Sequence, residues 1–215
     1  MAGIVVLISG RGSNLAAMCK AGLTSQIKCV ISNKVDAKGL DIAHEFNIPS
    51  VVIDHNEFET REEFDRHLAL EIDKYNPKYI ILAGFMRILS SWFVKHYTMQ
   101  LVNIHPSILP AFIGSKAIAD AFNAQVKISG ATIHFVTDQL DHGPIIAQGV
   151  ISATKCNTIE ELANKIHRLE HVLYPFIIHK LINNKVRFHT NSSVIVEKEA
   201  PDTQVLGEFI SHIFY

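Results

Sequence analysis

Short apolar runs rich in β-branched residues recur through the first half of the chain, at Ile4–Ile8, Lys28–Ile31, Ser50–Ile53, Tyr79–Ala83 and Leu101–Ile104. Segments of helical period, roughly ten to eighteen residues long, separate them, and this alternation predicts βαβ units feeding a mostly parallel sheet. The clearest helix is 60–75: Thr60 and Glu63 have the spacing of a capping box, and Phe64, Leu68, Ile72 and Tyr75 recur at helical steps. A second capping box, Thr158 with Glu161, opens a longer helix whose buried stripe is Leu162, Ile166, Leu169, Leu173 and Phe176; Pro175 is expected to kink it or mark its last turns. Ala131–Val136 and Ile145–Ile151 are separated only by Thr137 to Pro144, too short for a crossover helix, so an antiparallel pair is expected. Thr190 to Thr203 reads as a linker holding a short strand at Val194–Val196. The pattern predicts one α/β domain over residues 1–190, with antiparallel strands in its C-terminal half and a C-terminal extension over 191–215.

Charge and composition narrow the function classes. The 20 Lys plus Arg nearly balance the 21 Asp plus Glu, leaving a net charge of -1 and no clustered cationic surface for nucleic acid or an anionic membrane. The longest apolar stretch, Tyr79 to Val94, is broken by Arg87 and by serines, short of the ~18 consecutive apolar residues of a membrane span. Ile4–Ile8 has no basic flank before it and a glycine-rich turn after it, which suits a strand and not a signal peptide. A soluble cytoplasmic protein follows, with neither nucleic-acid nor membrane partners. Cys19, Cys29 and Cys156 have neither the count of a disulfide framework nor the spacing of a zinc knuckle and read as reduced thiols.

Candidate chemistry gathers at the ends of the predicted strands. After the first comes Gly10-Arg11-Gly12-Ser13-Asn14, where glycines let the backbone approach an anion and the next helix offers free N–H groups. Leu15 takes the third glycine position of a dinucleotide fingerprint, and the second strand ends in Ser32-Asn33 without the ribose-binding acid, so a phosphate monoester is favoured over NAD or ATP. A tight turn with Ser13 as helix cap would produce the same local pattern. Asn103 and His105, two apart at the end of the fifth strand, project to one face and can offer two donors to an oxyanion on a carbonyl carbon. The turn 137–144 carries Asp138 and Asp141. Folded back over the sheet, it would let Asp141 meet His105, favour the charged imidazole and relay protons, although Asx-turn chemistry alone accounts for most such loops. His167-Arg168-Leu169-Glu170-His171 fits the H-x-x-E-H pattern of inverted zinc peptidases but lacks a placed downstream ligand, so no metal is expected. No G-x-S-x-G elbow is present, and Ser107 is expected to order the Pro106 to Pro110 turn.

These motifs follow one family in order: Gly-Arg-Gly-Ser-Asn at 10–14, Ile-Ser-Asn-Lys-Val-Asp-Ala-Lys-Gly-Leu at 31–40, Leu-Ala-Gly-Phe-Met-Arg-Ile-Leu at 82–89, Asn-Ile-His-Pro-Ser-Ile-Leu-Pro at 103–110, His-Phe-Val-Thr-Asp-Gln-Leu-Asp-His-Gly-Pro at 134–144 and Glu-His-Val-Leu-Tyr-Pro at 170–175. Over about residues 3–190 the chain resembles the phosphoribosylglycinamide formyltransferases, folate-dependent enzymes of de novo purine synthesis. The resemblance implies a three-layer Rossmann-like formyltransferase fold. It implies that Gly12, Ser13 and Asn14 bind the substrate 5′-phosphate and Glu170 its ribose or glycyl end. Met86, Arg87, Ile88 and Leu89, with Asp138, Leu140 and the rest of the 138–141 loop, would receive the pterin of 10-formyltetrahydrofolate. Asn103, His105 and Asp141 match the catalytic trio, and no metal is implied.

The resemblance departs in one segment, Ala111-Phe112-Ile113-Gly114-Ser115-Lys116-Ala117-Ile118, where many relatives carry a proline before the glycine and a histidine after it. His167 occupies a helix position that faces the phosphate turn in the family, which makes it a candidate extra phosphate donor. The rival readings are a hydrolase of the formyl donor, a tRNA-directed formyltransferase, and a non-catalytic folate or nucleotide binder. The first two would add a domain before or after the catalytic one, for which a chain beginning on its first strand and ending at 215 is expected to have no room. A monomer or weak homodimer acting on small molecules is the expected state.

Overall fold

An aliphatic run buried on both faces makes a central strand. In a computed structural model of the chain, which describes residues 3–190, 193–197 and 212–214, Ile4–Ile8 is such a strand, β1, with all five side chains buried. Two parallel partners flank it: β2 (Ile27–Ser32) sets Val6 against Val30, and β4 (Tyr79–Leu82) sets Val6 against Ile81. Outside them lie β3 (Ser50–Val52), paired with β2, and β5 (Leu101–His105), paired with β4. The expected strands are therefore present, with ends that move by at most one residue.

The chain divides into two compact units, Met1–Asn103 and Ile104–Tyr215. In the first, α1 (Ser13–Met18) and α2 (Gly39–Glu45) link β1, β2 and β3 in one direction; α3 (Arg61–Asp73) returns past β1, and α4 (Ser91–His96) continues from β4 to β5. Right-handed crossovers place α1 and α2 on one face and α3 and α4 on the other, and each of these pairs is in contact. The reversal of winding falls between β1 and β4, so their carboxyl ends diverge into a crevice.

The second unit carries α5 (Ala117–Asn123), then the antiparallel pair β6 (Ile128–Phe135) and β7 (Ile145–Ser152), joined by the predicted short turn. Strand β10 (His212–Phe214) adds antiparallel to β7. The long helix α6 (Ile159–Ile182) packs on both β6 and β7. A mostly parallel sheet with antiparallel strands in the C-terminal half is thus what the chain forms. Beyond α6, β8 (Val186–Thr190) and β9 (Ser193–Val196) make an antiparallel hairpin, so the segment read as a linker begins as paired structure; 198–203 lies outside the described residues.

Local signals were accurate where they were electrostatic and looser where packing decides. Thr60 caps α3 in a complete box: its hydroxyl accepts from Glu63 N–H at 3.2 Å, and the Glu63 carboxylate accepts from Thr60 N–H at 3.1 Å. At α6 the box is only half formed, because Thr158 accepts from Glu161 N–H while the Glu161 carboxylate turns to Asn157 N–H at 2.7 Å. Pro175 does not end α6, which continues to Ile182. Buried Leu173, Tyr174, Ile177 and Ile178 on either side offset the backbone bond that the ring removes. Cys19, Cys29 and Cys156 are free thiols, and among the described residues no helix is long and apolar enough to cross a membrane.

The complete box predicts that Thr60→Ala removes about 1 kcal/mol of stability, read as a fall in Tm of roughly 2–4 °C for a chain of this size.

Candidate active site

The first unit supplies two loops at the crevice. In the β1–α1 turn, Gly12 stands at the helix N-terminus with φ 71°, and no side chain caps the helix, so Ser13 is the first helical residue and not the cap. A Cβ on Gly12 would lie 2.6 Å from the Cα of Gly39, whose N–H donates to the Gly10 carbonyl at 2.9 Å. Glycine is required at 12 on two counts, conformation and space. Ser13 is exposed and Asn14 buried. Gly39, inside the 31–40 motif, was not singled out from the sequence; a glycine opening a helix was the signal for it.

The second loop follows β4. Gly84 (φ 76°) turns the chain, and Met86 and Ile88 then stand 76% and 56% exposed, an apolar pair suited to a flat ring. Arg87 is half-buried with its guanidinium 4.6 Å from the Phe64 ring centroid. Leu89 is half-buried, and Ser90 caps α4 by accepting from Phe93 N–H at 3.3 Å. Asn103 lies on β5 opposite Leu82.

The second unit brings the predicted pair together. His105 Nδ1 stands 3.5 Å from Asp141 Oδ2, and both side chains are 7% exposed. What delivers Asp141 is the 137–144 turn. Phe135 N–H donates to the Pro144 carbonyl at 2.9 Å, closing its base, and Gly143 lies so close to the Phe135 carbonyl that no side chain fits. Asp141 itself takes φ 56°, a strained region that this closed turn imposes. Asp138 and Leu140 on the same turn are exposed.

Segment 111–118 completes the environment. His105 Nε2 lies 2.9 Å from the Phe112 carbonyl, and Gly114 N–H donates to Asp141 Oδ2 at 2.9 Å. Both ring nitrogens of His105 therefore face acceptors. Phe112 and Gly114 reach these positions with φ 55° and φ 88°. Ser107 is fully buried and its hydroxyl donates to the Ala111 carbonyl at 2.6 Å, which orders the turn as expected of it. The turn is pinned further by Thr132, whose hydroxyl donates to the Ser107 carbonyl at 2.7 Å and accepts from Leu109 N–H at 3.0 Å.

His134 was missed as a site residue, although its motif was noted. It is 2% exposed, its Nε2 is 3.8 Å from Asp141 Oδ1, and its Nδ1 lies 2.9 Å from the Phe135 carbonyl. Burial pushes its imidazole below the ordinary value; the Phe135 carbonyl and Asp141 pull the other way. A histidine between Ile133 and Phe135 on a buried strand was the available signal. On α6, Glu170 is buried and half-exposed His167 lies one turn before it. Burial and the Glu170 charge raise the Tyr174 phenol well above its usual range. Among the described residues, no three His, Cys, Asp or Glu side chains cluster as metal ligands.

Replacing Asp141 by Ala removes the acceptor of Gly114 N–H, so hydrogen exchange at that amide should accelerate by about tenfold, the worth of one hydrogen bond; mass spectrometry of the 111–118 peptide measures it.

The formyl transferase family model matches residues 2–178. The phosphoribosylglycinamide formyltransferase of Escherichia coli (strain K12) is 40% identical over 202 residues, covering 92% of this chain and 95% of that protein. The trifunctional purine biosynthetic protein adenosine-3 of Chironomus tentans is 42% identical over 190 residues, 86% of this chain but 14% of that longer protein. Among solved structures, the phosphoribosylglycinamide formyltransferase of Coxiella burnetii in complex with CHES superposes with a TM-score of 0.85 at 42% identity, covering 91% of this chain and 93% of that one.

Proposed function

The chain belongs to the formyl transferase family, and on that premise we propose that it moves the formyl group of 10-formyltetrahydrofolate onto the glycinamide amine of 5′-phosphoribosylglycinamide, a step of purine synthesis. The observation that carries this reading is the buried His105–Asp141 pair in a chain so extensively similar to enzymes named for that reaction. Both substrates are small molecules, and the reading places the reaction in the cytoplasm.

In the reaction, the amine lone pair attacks the formyl carbon and the carbonyl π pair moves onto oxygen. Asn103 and His105 donate to that oxygen, where charge develops. The Phe112 carbonyl, 2.9 Å from His105 Nε2, marks a position an oxyanion could take once segment 111–118 moves aside. Asp141 orients the imidazole and takes part, through water, in carrying a proton from the attacking nitrogen to N10 of the folate as the N10–formyl bond breaks. No covalent enzyme intermediate is needed, consistent with Ser107 being committed to the Ala111 carbonyl.

For binding, the β1–α1 turn with Gly12, Ser13 and Asn14 receives the 5′-phosphate, and Glu170 receives the ribose or glycyl end. His167 is a further phosphate donor on this reading. Met86, Arg87, Ile88 and Leu89 receive the pterin on this reading, together with Asp138 and Leu140 of the 138–141 loop. The competing reading, hydrolysis of the formyl donor by water, uses the same His and Asp and differs only in the acceptor.

The decisive assay follows tetrahydrofolate release from 10-formyltetrahydrofolate, with chelator present and with or without phosphoribosylglycinamide. Release is expected only with the ribonucleotide; release without it would assign a hydrolase, and none under either condition a binding protein. His105→Ala and Asp141→Asn should each lower kcat by about 10²–10⁴-fold while the Kd for phosphoribosylglycinamide, measured calorimetrically, stays within about twofold, because these groups act mainly in the transition state.

A further inference from the structure

Loop 84–90 presents exposed Met86 and Ile88, and a loop that holds apolar side chains in water needs an anchor beneath it. Two buried side chains outside the site described above supply one at each end. At the first end, the Met86 N–H donates to the Ser9 hydroxyl at 2.7 Å across the point where the winding of the sheet reverses. Ser9 is 5% exposed, and its own O–H donates to the Asn33 side-chain carbonyl at 2.6 Å. That bond uses the hydroxyl's only proton and turns a lone pair toward Met86. Asn33 is in turn 2% exposed, with its amide nitrogen 3.3 Å from His55 Nδ1. The ends of the first and second strands thereby hold the loop after the fourth.

At the other end, Asp65 on α3 is fully buried, and its Oδ2 accepts from Ser90 N–H at 2.6 Å. An unpaired carboxyl is rarely kept at zero exposure. Burial raises this one above the usual carboxylate range, opposed by Ser90 and by the charges of Arg87 and Arg61. Its neighbour Phe64 carries the Arg87 guanidinium, so one turn of α3 touches both the end and the middle of the loop.

We infer that Ser9 and Asp65 are positioning residues for the formyl-folate subsite, holding the Met86–Leu89 segment at a fixed height through the backbone N–H groups on either side of it. Neither touches substrate. The inference rests on the reading of Met86–Leu89 as the folate-facing segment and adds what preorganises it. Preorganisation appears in affinity for the ligand that the loop covers, because a loosened loop must be ordered again at binding.

The test is steady-state kinetics with 10-formyltetrahydrofolate and phosphoribosylglycinamide on the full chain. Ser9→Ala and Asp65→Ala should each raise the KM for the folate donor about tenfold, the worth of one hydrogen bond. The KM for the ribonucleotide and kcat should stay within about twofold. Asp65→Asn, which keeps an oxygen acceptor for Ser90 N–H, should recover most of the donor KM. The double variant Met86→Ala, Ile88→Ala tests the underlying reading: if it leaves the donor KM unchanged, the loop does not face folate and the inference falls with that reading. If the double variant raises the donor KM while Ser9→Ala and Asp65→Ala do not, the reading stands and the anchors are overturned. Equal rises in both KM values would assign Ser9 and Asp65 to general scaffold and overturn the inference as well. Should Ser9→Ala fail to fold, the Ala and Asn variants at Asp65 decide it.

Discussion

The placement of β1 between two parallel partners is the constraint on which the first unit depends. Because Ile4–Ile8 is wholly aliphatic and wholly buried, it occupies the middle of its sheet, and the chain must wind away from it in both directions. The loops after β1 and β4 are then separated by the reversal and left facing each other across a crevice. Apart from Asn103 on β5, what the first unit is proposed to contribute to chemistry lies on those two loops: the tight glycine turn with Ser13 and Asn14, and the exposed Met86 and Ile88. Ser9, the residue next after β1, is the hydroxyl that joins them.

The second unit solves a different problem, that of holding a histidine beside a carboxylate away from water. Neither side chain could be left unpaired at 7% exposure, and the backbone is bent to satisfy both. Asp141, Phe112 and Gly114 all adopt positive φ, and the reward is the Gly114 N–H on the carboxylate and the Phe112 carbonyl on the imidazole. Strain concentrated at the groups proposed to do chemistry is how a site keeps its geometry before substrate arrives.

Strands and helix caps were legible because their causes are local. Alternating aliphatic runs mark strands wherever they stand, and Thr60 with Glu63 satisfies the first N–H groups of a helix without help from elsewhere. The same reasoning overreached at Thr158, where Asn157 competes for the Glu161 carboxylate. Asn103 and His105 were expected together because residues two apart on a strand share a face.

What the residues alone pointed to is a kind of chemistry: donors for an oxyanion and an anion-binding turn. What the tertiary structure alone decided is which groups meet over long separations in the chain. His134 and Asp141 converge because a bulged antiparallel pair folds its turn back. Gly12 and Gly39 touch because two crossover connections start side by side; Ser9 meets Asn33 because the first two strands end next to each other, and Asp65 meets Ser90 where α3 runs past the loop after β4. Periodicity records the face on which a residue lies, but a partner 24 or 77 positions away is chosen by strand order and crossover hand, and no local pattern carries that information.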